Sequence, residues 1–364
     1  MNLLELGIAA VERGIVPDWV TRLAIRRLCR QRLRECEATS IEAGVEHASF
    51  LKSLHDGPIA PIPAKANEQH YELPAEFFAA FLGPHRKYSC CFWPTPDCSL
   101  AEAEEHSLRL TCEGAEIRDG QDILELGCGW GSLTLWIAER YPHSRITAIS
   151  NSRSQRRFIE AAAQERGLAN VRVITADMND FAPQFQNSDG GFDRIVSVEM
   201  FEHMRNYELL LSRIAGWLRP AGQLFVHYFC HRDWAYPFST DKTADWMGRY
   251  FFAGGMMPCA DMLRRFDCHL RVSQQRIWNG LHYQRTADAW LRNLDAQRGE
   301  VLAILGKVYG RDAAPVWLQR WRVFLLAVSE LFGYGGGQEW FVSHCLLQHA
   351  HIAALTEAPC IRSR

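Results

Sequence analysis

The chain has 364 residues, 48% of them hydrophobic and 23% charged, with a formal net charge of −2. That balance is globular, excludes wholesale disorder and gives no global electrostatic reason to expect a nucleic-acid partner. No apolar run reaches the roughly 18 residues of a membrane span. The opening "MNLLELGIAAVERGIVPDW" lacks a basic leader, so no secretory signal is expected either. Twelve cysteines fall at irregular spacing with no CxxC pair. They read as buried free thiols of a cytoplasmic protein rather than as a zinc site, and no metal is expected.

In chain order, Pro17 and Asp18 open a helix on which Trp19, Val20, Leu23, Ala24 and Leu28 recur at helical spacing. Six arginines between Arg22 and Arg34 have no acid among them. They read as the solvated face of a packed helix, in preference to a membrane-surface contact or an acidic partner, and the N-terminal helices could pair two subunits. "HDGPIAPIPAKAN" reads as a Pro-rich linker. "LPAEFFAAFLG" then reads as a short helix ending at Gly83.

From about residue 115 the pattern alternates. "DILEL", "SRITAIS", "VRVIT", "FDRIVSV" and "GQLFVHYF" are apolar strands, with "SLTLWIAERY" and "SQRRFIEAAAQERG" as helices between the first three. Such alternation predicts a mostly parallel sheet covered on both faces. Beyond residue 232 the chain turns aromatic and mostly helical in period, which predicts a substrate-bearing cap. Three segments follow: a helical extension over 1–85, a Rossmann-like core over 86–232, and an aromatic-rich cap with the last strands of the sheet over 233–364.

"ILELGCGWGSL" places Glu125, Gly127, Gly129 and Gly131 between a strand and a helix, where glycines permit a sharp turn and close approach of a ligand. A dinucleotide and S-adenosylmethionine both suit such a loop. The third glycine of a dinucleotide fingerprint would fall on Ser132. The expected ribose-binding acid is replaced by Ser150 and Asn151. Asn151 and Gln155 can bind ribose hydroxyls without charge. Asp177 at the third strand's end can accept from an adenine amino group while Met178 packs on the ring. A helix cap is the plain alternative for Asp177.

"SVEMFEHM" then brings Glu199, Glu202 and His203 to the exit of the fourth strand. Ligands of open α/β sheets bind at the carboxyl ends of the strands, which favours a site here over a solvated helix start.

With "KYSCCFWP", "ELGCGWGSLTL", "AISNSRSQ" and "VEMFEHMRNYELLL", the chain resembles the cyclopropane-fatty-acid-synthase-like group of S-adenosylmethionine-dependent methyltransferases. Within that group it is most similar to the coclaurine-type N-methyltransferases. The resemblance implies a class I fold with a seven-stranded mixed sheet whose last strand is antiparallel. It implies that Tyr88 and Ser89 close over the methionine end of the cofactor, Gly127 and Gly129 approach it, and Val198 lies on the cofactor side. It makes Glu199, Glu202 and His203 the acid–base cluster and sets Tyr71 and Glu72 near the substrate. Cyclopropane synthases bind bicarbonate through a Glu, a His, a Tyr and a Cys. Matches stand at Glu202, His227 and Tyr283, but Val328 occupies the cysteine position. Glu199, where the lipid enzymes carry a small residue, points to N-methylation; His227, where the alkaloid enzymes carry glutamate, points the other way.

An alkylamine has a pKa of roughly 10.4, so at neutral pH presenting its lone pair costs about 4–5 kcal/mol. Carboxylates attract the ammonium form and an imidazole can accept its proton. On this reading His203 with Glu202 is the base and Glu199 the orienting anion. Trp234, Tyr236, Trp246, Phe332 and Trp340 are expected to line an apolar acceptor pocket or, one by one, to be ordinary core. The expected function is methyl transfer to a small, partly aromatic amine. A lipid-modifying activity on unsaturated acyl chains is the alternative enzyme, and a cofactor-binding scaffold without turnover the non-enzymatic one.

Overall fold

The computed structural model describes residues 3–37, 41–62, 73–185, 190–240 and 245–350. Tyr71 and Glu72 lie outside the described residues. Among the described residues nine strands appear in chain order: β1 Asp122–Leu126, β2 Arg145–Ser150, β3 Val171–Thr175, β4 Phe192–Val198, β5 Leu218–His231, β6 Tyr236–Pro237, β7 Met256–Met257, β8 Leu270–Trp278 and β9 Trp340–His349. Seven of them form one sheet in the order β3-β2-β1-β4-β5-β9-β8. β1 to β5 pair in parallel, and β9 runs antiparallel to both of its neighbours.

The order reverses between β1 and β4, so a crevice opens beyond the carboxyl ends of these strands. All five residues of β1 are buried, as a central parallel strand covered on both faces requires. The helix Ser132–Arg140 follows Gly131, which sits in the left-handed region and whose Cβ would come within 2.6 Å of Ile159. Only glycine suits that turn. The helix Arg153–Glu165 is capped by the Ser152 hydroxyl, which accepts from the Gln155 amide.

Two expectations change here. The helix Asp18–Glu37 turns Trp19, Leu23 and Leu28 outward and buries Thr21 and Cys29 instead. Two of its arginines are spent on buried or half-buried acids. Arg22 pairs with Asp288 and Glu330 at 2.8 and 2.7 Å, and Arg26 also pairs with Glu330. Tertiary ion pairing thus decides which face of this helix is inside.

The Pro-rich stretch after His55 is also not a free linker. Ile59 and Ala60 are buried. Asn179 grips Ala60 twice, its Oδ1 accepting from the Ala60 amide at 3.0 Å and its Nδ2 donating to the Ala60 carbonyl at 2.8 Å. The strip has no strand partner; its backbone groups are satisfied by the Asn179 side chain and by the Arg205 amide, which donates to the Ile59 carbonyl at 2.8 Å.

Beyond β5 the chain builds an aromatic core. The helices Leu281–Ala296 and Ala314–Gly333 pack Trp290, Trp321, Phe324 and Phe332 against Phe77, Phe78 and Phe81 from the N-terminal side. No helix among the described residues is long and apolar enough to cross a membrane.

Candidate active site

An open cleft, about 1300 Å³ with the solvent at its mouth included, lies over the carboxyl ends of β1, β2, β3 and β4. Its floor is the glycine turn. Gly127 and Gly129 adopt φ of 77° and 51°, and a Cβ on Gly127 would stand 2.9 Å from that of Met200. Asn151 and Gln155 come from the end of β2 and the helix after it, and Asp177 and Met178 from the end of β3. Tyr88, Ser89, Glu125 and Val198 complete this half of the wall.

These residues fit a ligand that combines a nucleoside with a charged tail. Gln155 is buried, its Oε1 accepts from Ser150, and its Nε2 is enclosed without a hydrogen-bond partner. A ribose hydroxyl would satisfy that donor. Asp177 Oδ1 accepts from the Asn179 amide at 2.8 Å. Glu125 accepts from the Thr134 hydroxyl, and burial pushes its carboxyl up to about 8.

The opposite half of the cavity carries Glu199 and His203. Glu199 directly follows β4 with φ of 50°, the left-handed region, which costs a branched or long side chain on the order of 1–2 kcal/mol. The surroundings hold it there. Its amide donates to the His227 carbonyl at 2.8 Å. Its Oε1 accepts from the Cys90 amide at 2.9 Å and lies 3.2 Å from His227 Nε2, while Oε2 accepts from the Tyr283 hydroxyl at 2.7 Å. Burial raises the Glu199 carboxyl; the Lys87 ammonium, the Cys90 amide and the Tyr283 hydroxyl oppose that rise.

His203 is pushed down to about 4 by burial, with the Arg205 charge adding to the effect and Glu199 opposing it. It is a neutral imidazole at pH 7, stacked over Phe252 at 5.9 Å.

The cluster expected at this strand exit divides. Glu202 is absent from the cavity wall. It is fully enclosed, its Oε1 accepts from the Phe229 amide at 2.7 Å, and burial together with the nearby Glu199 charge raises its carboxyl well above the usual range. The 3-10 turn Phe201–His203 sends successive side chains in different directions, which spacing along the chain did not reveal.

The expected acceptor residues are also displaced from the wall. His227 and Tyr283 lie behind Glu199 and reach the cavity only through it. Phe332 stacks on Tyr283 at 4.4 Å. Trp340 is fully buried and donates to the Tyr236 hydroxyl at 3.0 Å, Trp246 donates to Glu12, and Trp234 packs edge-on to His47. Phe332 and Trp340 are core, while Trp234, Tyr236 and Trp246 are half-buried around it, and each has its contacts away from the cavity wall.

The wall beside Glu199 and His203 is instead Pro61 and Ile62, Met200 and Met204, and Ala253 and Gly254. Met200 and Met204 stand inside "SVEMFEHM" but were given no role there, and no motif marked Ala253 or Gly254. The proline run after His55 was the one signal available, because a rigid strip with no strand partner must lie against something.

A seven-stranded sheet with a terminal antiparallel strand, a glycine turn after β1 and a nucleoside-shaped wall define a class I S-adenosylmethionine-dependent methyltransferase. The comparisons with known proteins agree. The family model for mycolic acid cyclopropane synthetase matches residues 62–336, and the chain belongs to that family. It is 37% identical to the (S)-coclaurine N-methyltransferase of Thalictrum flavum subsp. glaucum, over 95% of this chain and 96% of the relative. With the cyclopropane-fatty-acyl-phospholipid synthase of Escherichia coli (strain K12) it shares 30% identity over 64% of this chain and 57% of that protein. It superimposes on a crystal structure of coclaurine N-methyltransferase bound to N-methylheliamine and SAH with a TM-score of 0.89, at 35% identity, covering 95% of this chain and 99% of that one. The chain is therefore an S-adenosylmethionine-dependent methyltransferase, and its similarities over nearly the whole chain place it with the N-methyltransferases.

Proposed function

We propose that the acceptor is the nitrogen of a small amine with an apolar, partly aromatic body, and that Glu199 handles its charge and proton. The observation that carries this reading is the Glu199 carboxylate, held in a costly backbone conformation on the wall shared with the cofactor residues. A carboxylate at that point attracts an ammonium into a low-dielectric site. A lipid double bond carries no charge for it to meet.

S-adenosylmethionine supplies an electrophilic sulfonium methyl group. The chain's residues do the rest. Gln155, Asn151 and Asp177 hold the nucleoside, with Met178 against its base. Pro61, Ile62, Met200 and Met204 take the apolar body of the amine and exclude water. Glu199 Oε2, whose other partner is the Tyr283 hydroxyl, receives the proton that the ammonium must lose before its lone pair can attack. Neutral His203 is an alternative acceptor or donor within the same wall. Its low basicity makes it better suited to orienting the nitrogen than to keeping the proton. Alignment of nitrogen and methyl group contributes much of the remaining acceleration. In this reading Glu202 supports the backbone at Phe229 and has no contact with the amine. The same reading places the enzyme in the cytoplasm, where thiols such as Cys90, Cys128 and Cys259 stay reduced.

The test is incubation with methyl-labelled donor and a panel of benzylisoquinoline-like amines, simple alkylamines and unsaturated phospholipids. An N-methyl singlet in the proton NMR spectrum of an amine product is expected. Ring protons of a cyclopropane on an acyl chain, with no amine methylated, would overturn the reading.

A further inference from the structure

Behind Glu199 stand two imidazoles that the site as described does not use. The antiparallel register of β5 and β9 sets His227 opposite His344. His227 Nε2 is 3.2 Å from Glu199 Oε1, and His227 Nδ1 is 2.8 Å from His344 Nε2. His227 has no exposed surface and His344 is 5% exposed. Trp278 meets both rings edge-on, at 5.5 and 4.1 Å, so neither can turn freely.

The chemistry of the chain of contacts fixes where the hydrogens are. An ionised carboxylate only accepts, so His227 must carry its proton on Nε2. A neutral imidazole has one N–H, which leaves Nδ1 with a lone pair. The only hydrogen that can lie on the 2.8 Å contact is then the one on His344 Nε2. Burial and neighbouring positive charge keep both rings neutral. Lys87 and Arg276 are the cations facing this pair. Around Glu199 itself stand Lys87, His203, Tyr283, Cys90 and Glu202.

We propose that His344 is a positioning residue for methyl transfer: by donating its Nε2–H to His227 Nδ1 it locks His227 as a fixed donor to Glu199, and so keeps that carboxylate ionised and aimed. The proposal rests on the amine reading for its kinetic consequence, though not for the hydrogen-bond polarity. Glu199 by itself favours hydrogen on His227 Nε2, and His344 adds a second hold; without it the buried Nδ1 lone pair loses its partner. The tautomer with hydrogen on Nδ1 then costs less, and it turns a lone pair on Glu199 Oε1, a repulsion that protonating Glu199 relieves. A protonated Glu199 can neither hold an ammonium nor take its proton.

The test is the pH dependence of kcat/KM for the best amine in His344→Phe and His344→Gln, with melting temperatures measured alongside. His344→Phe should move the acidic limb upward by about one pH unit, a roughly tenfold loss on that limb. It should raise KM for the amine more than for the methyl donor. His344→Gln, which keeps an N–H donor, should restore the wild-type limb. A uniform loss in His344→Phe with the limb unmoved, or a Gln variant indistinguishable from Phe, overturns the proposal. Nitrogen-15 NMR of histidine-labelled wild-type protein gives a readout that needs no variant to fold. Both rings are expected neutral and protonated on Nε2 from pH 6 to 8, whereas hydrogen on His227 Nδ1 would overturn the proposal. Both Nε2–H tautomers in a protein that methylates no amine would support the hydrogen-bond chain and overturn the acceptor reading alone.

Discussion

The two halves of the cavity are built in different ways. The donor half comes from short segments that directly follow β1, β2 and β3, and each of Gly127, Asn151 and Asp177 sits within a few residues of a strand end. The acceptor half is assembled from pieces far apart in the chain: Pro61 and Ile62, then Glu199, Met200, His203 and Met204, and Ala253 with Gly254. A parallel sheet delivers its strand ends to one edge whatever else the protein does, so the donor half is a property of the architecture. The acceptor half exists only once the extension and the cap have packed, and it is the part able to vary with substrate.

That contrast breaks first at Glu199. Glu199→Gln keeps the shape and removes the charge. It should lower kcat/KM for the amine by about 10²–10⁴-fold, the range of a lost acid–base group, while donor affinity measured by calorimetry stays near that of the wild type. An equal loss of donor affinity would merge the two halves into one.

Trp340→Ala probes the aromatics that the sequence offered as a pocket. As a fully enclosed core residue it should cost about 3–5 kcal/mol of stability in denaturant unfolding, with KM for the amine unchanged in the protein that remains folded. A raised KM at near-normal stability would return it to the acceptor wall.

Gln155→Ala removes one hydrogen-bond donor from the nucleoside side. It should weaken donor binding about tenfold, the scale of one hydrogen bond, and leave KM for the amine alone. Competition by the amine in that binding measurement would show that the halves overlap.

The smallest effect is a pH-dependent stability difference. Glu125 is raised to about 8 in the folded chain from an ordinary value of 4.5. Between these values the folded state holds a proton that the unfolded state has released, so this group's contribution falls as pH rises from about 4.5 to 8. Glu125→Gln, always neutral, should therefore gain a few degrees of melting temperature over the wild type at pH 8 and little at pH 5. A difference that stays flat across that range would mean that Glu125 is ionised throughout.

What could be read along the chain follows the same division. Every strand of the parallel half was legible: "DILEL" is a short run buried at all five positions, and "VRVIT", at the edge of the sheet, shows itself by its β-branched residues although only Val173 is buried. The glycine turn was legible because its φ values demand that residue type. The direction of the Trp19 and Leu23 face was not. It depends on Glu330 and Asp288, some 300 and 266 positions away, where Arg22 finds its partners. Nor could spacing separate Glu199 and His203 from Glu202, since a tight turn decides which of them meets the cavity.

By itself, then, the sequence determined the parallel half of the sheet, the glycine turn and the chemical character of the cofactor side; β8 and β9 lay in the stretch read as mostly helical. These follow from local periodicity and from conformations that few residues tolerate. Tertiary structure alone decided which carboxylate faces the acceptor, which aromatics are core, and that His344 stands behind His227. These depend on strand register, on one tight turn and on contacts between residues from 27 to 234 positions apart, and the local hydrophobic pattern does not encode them.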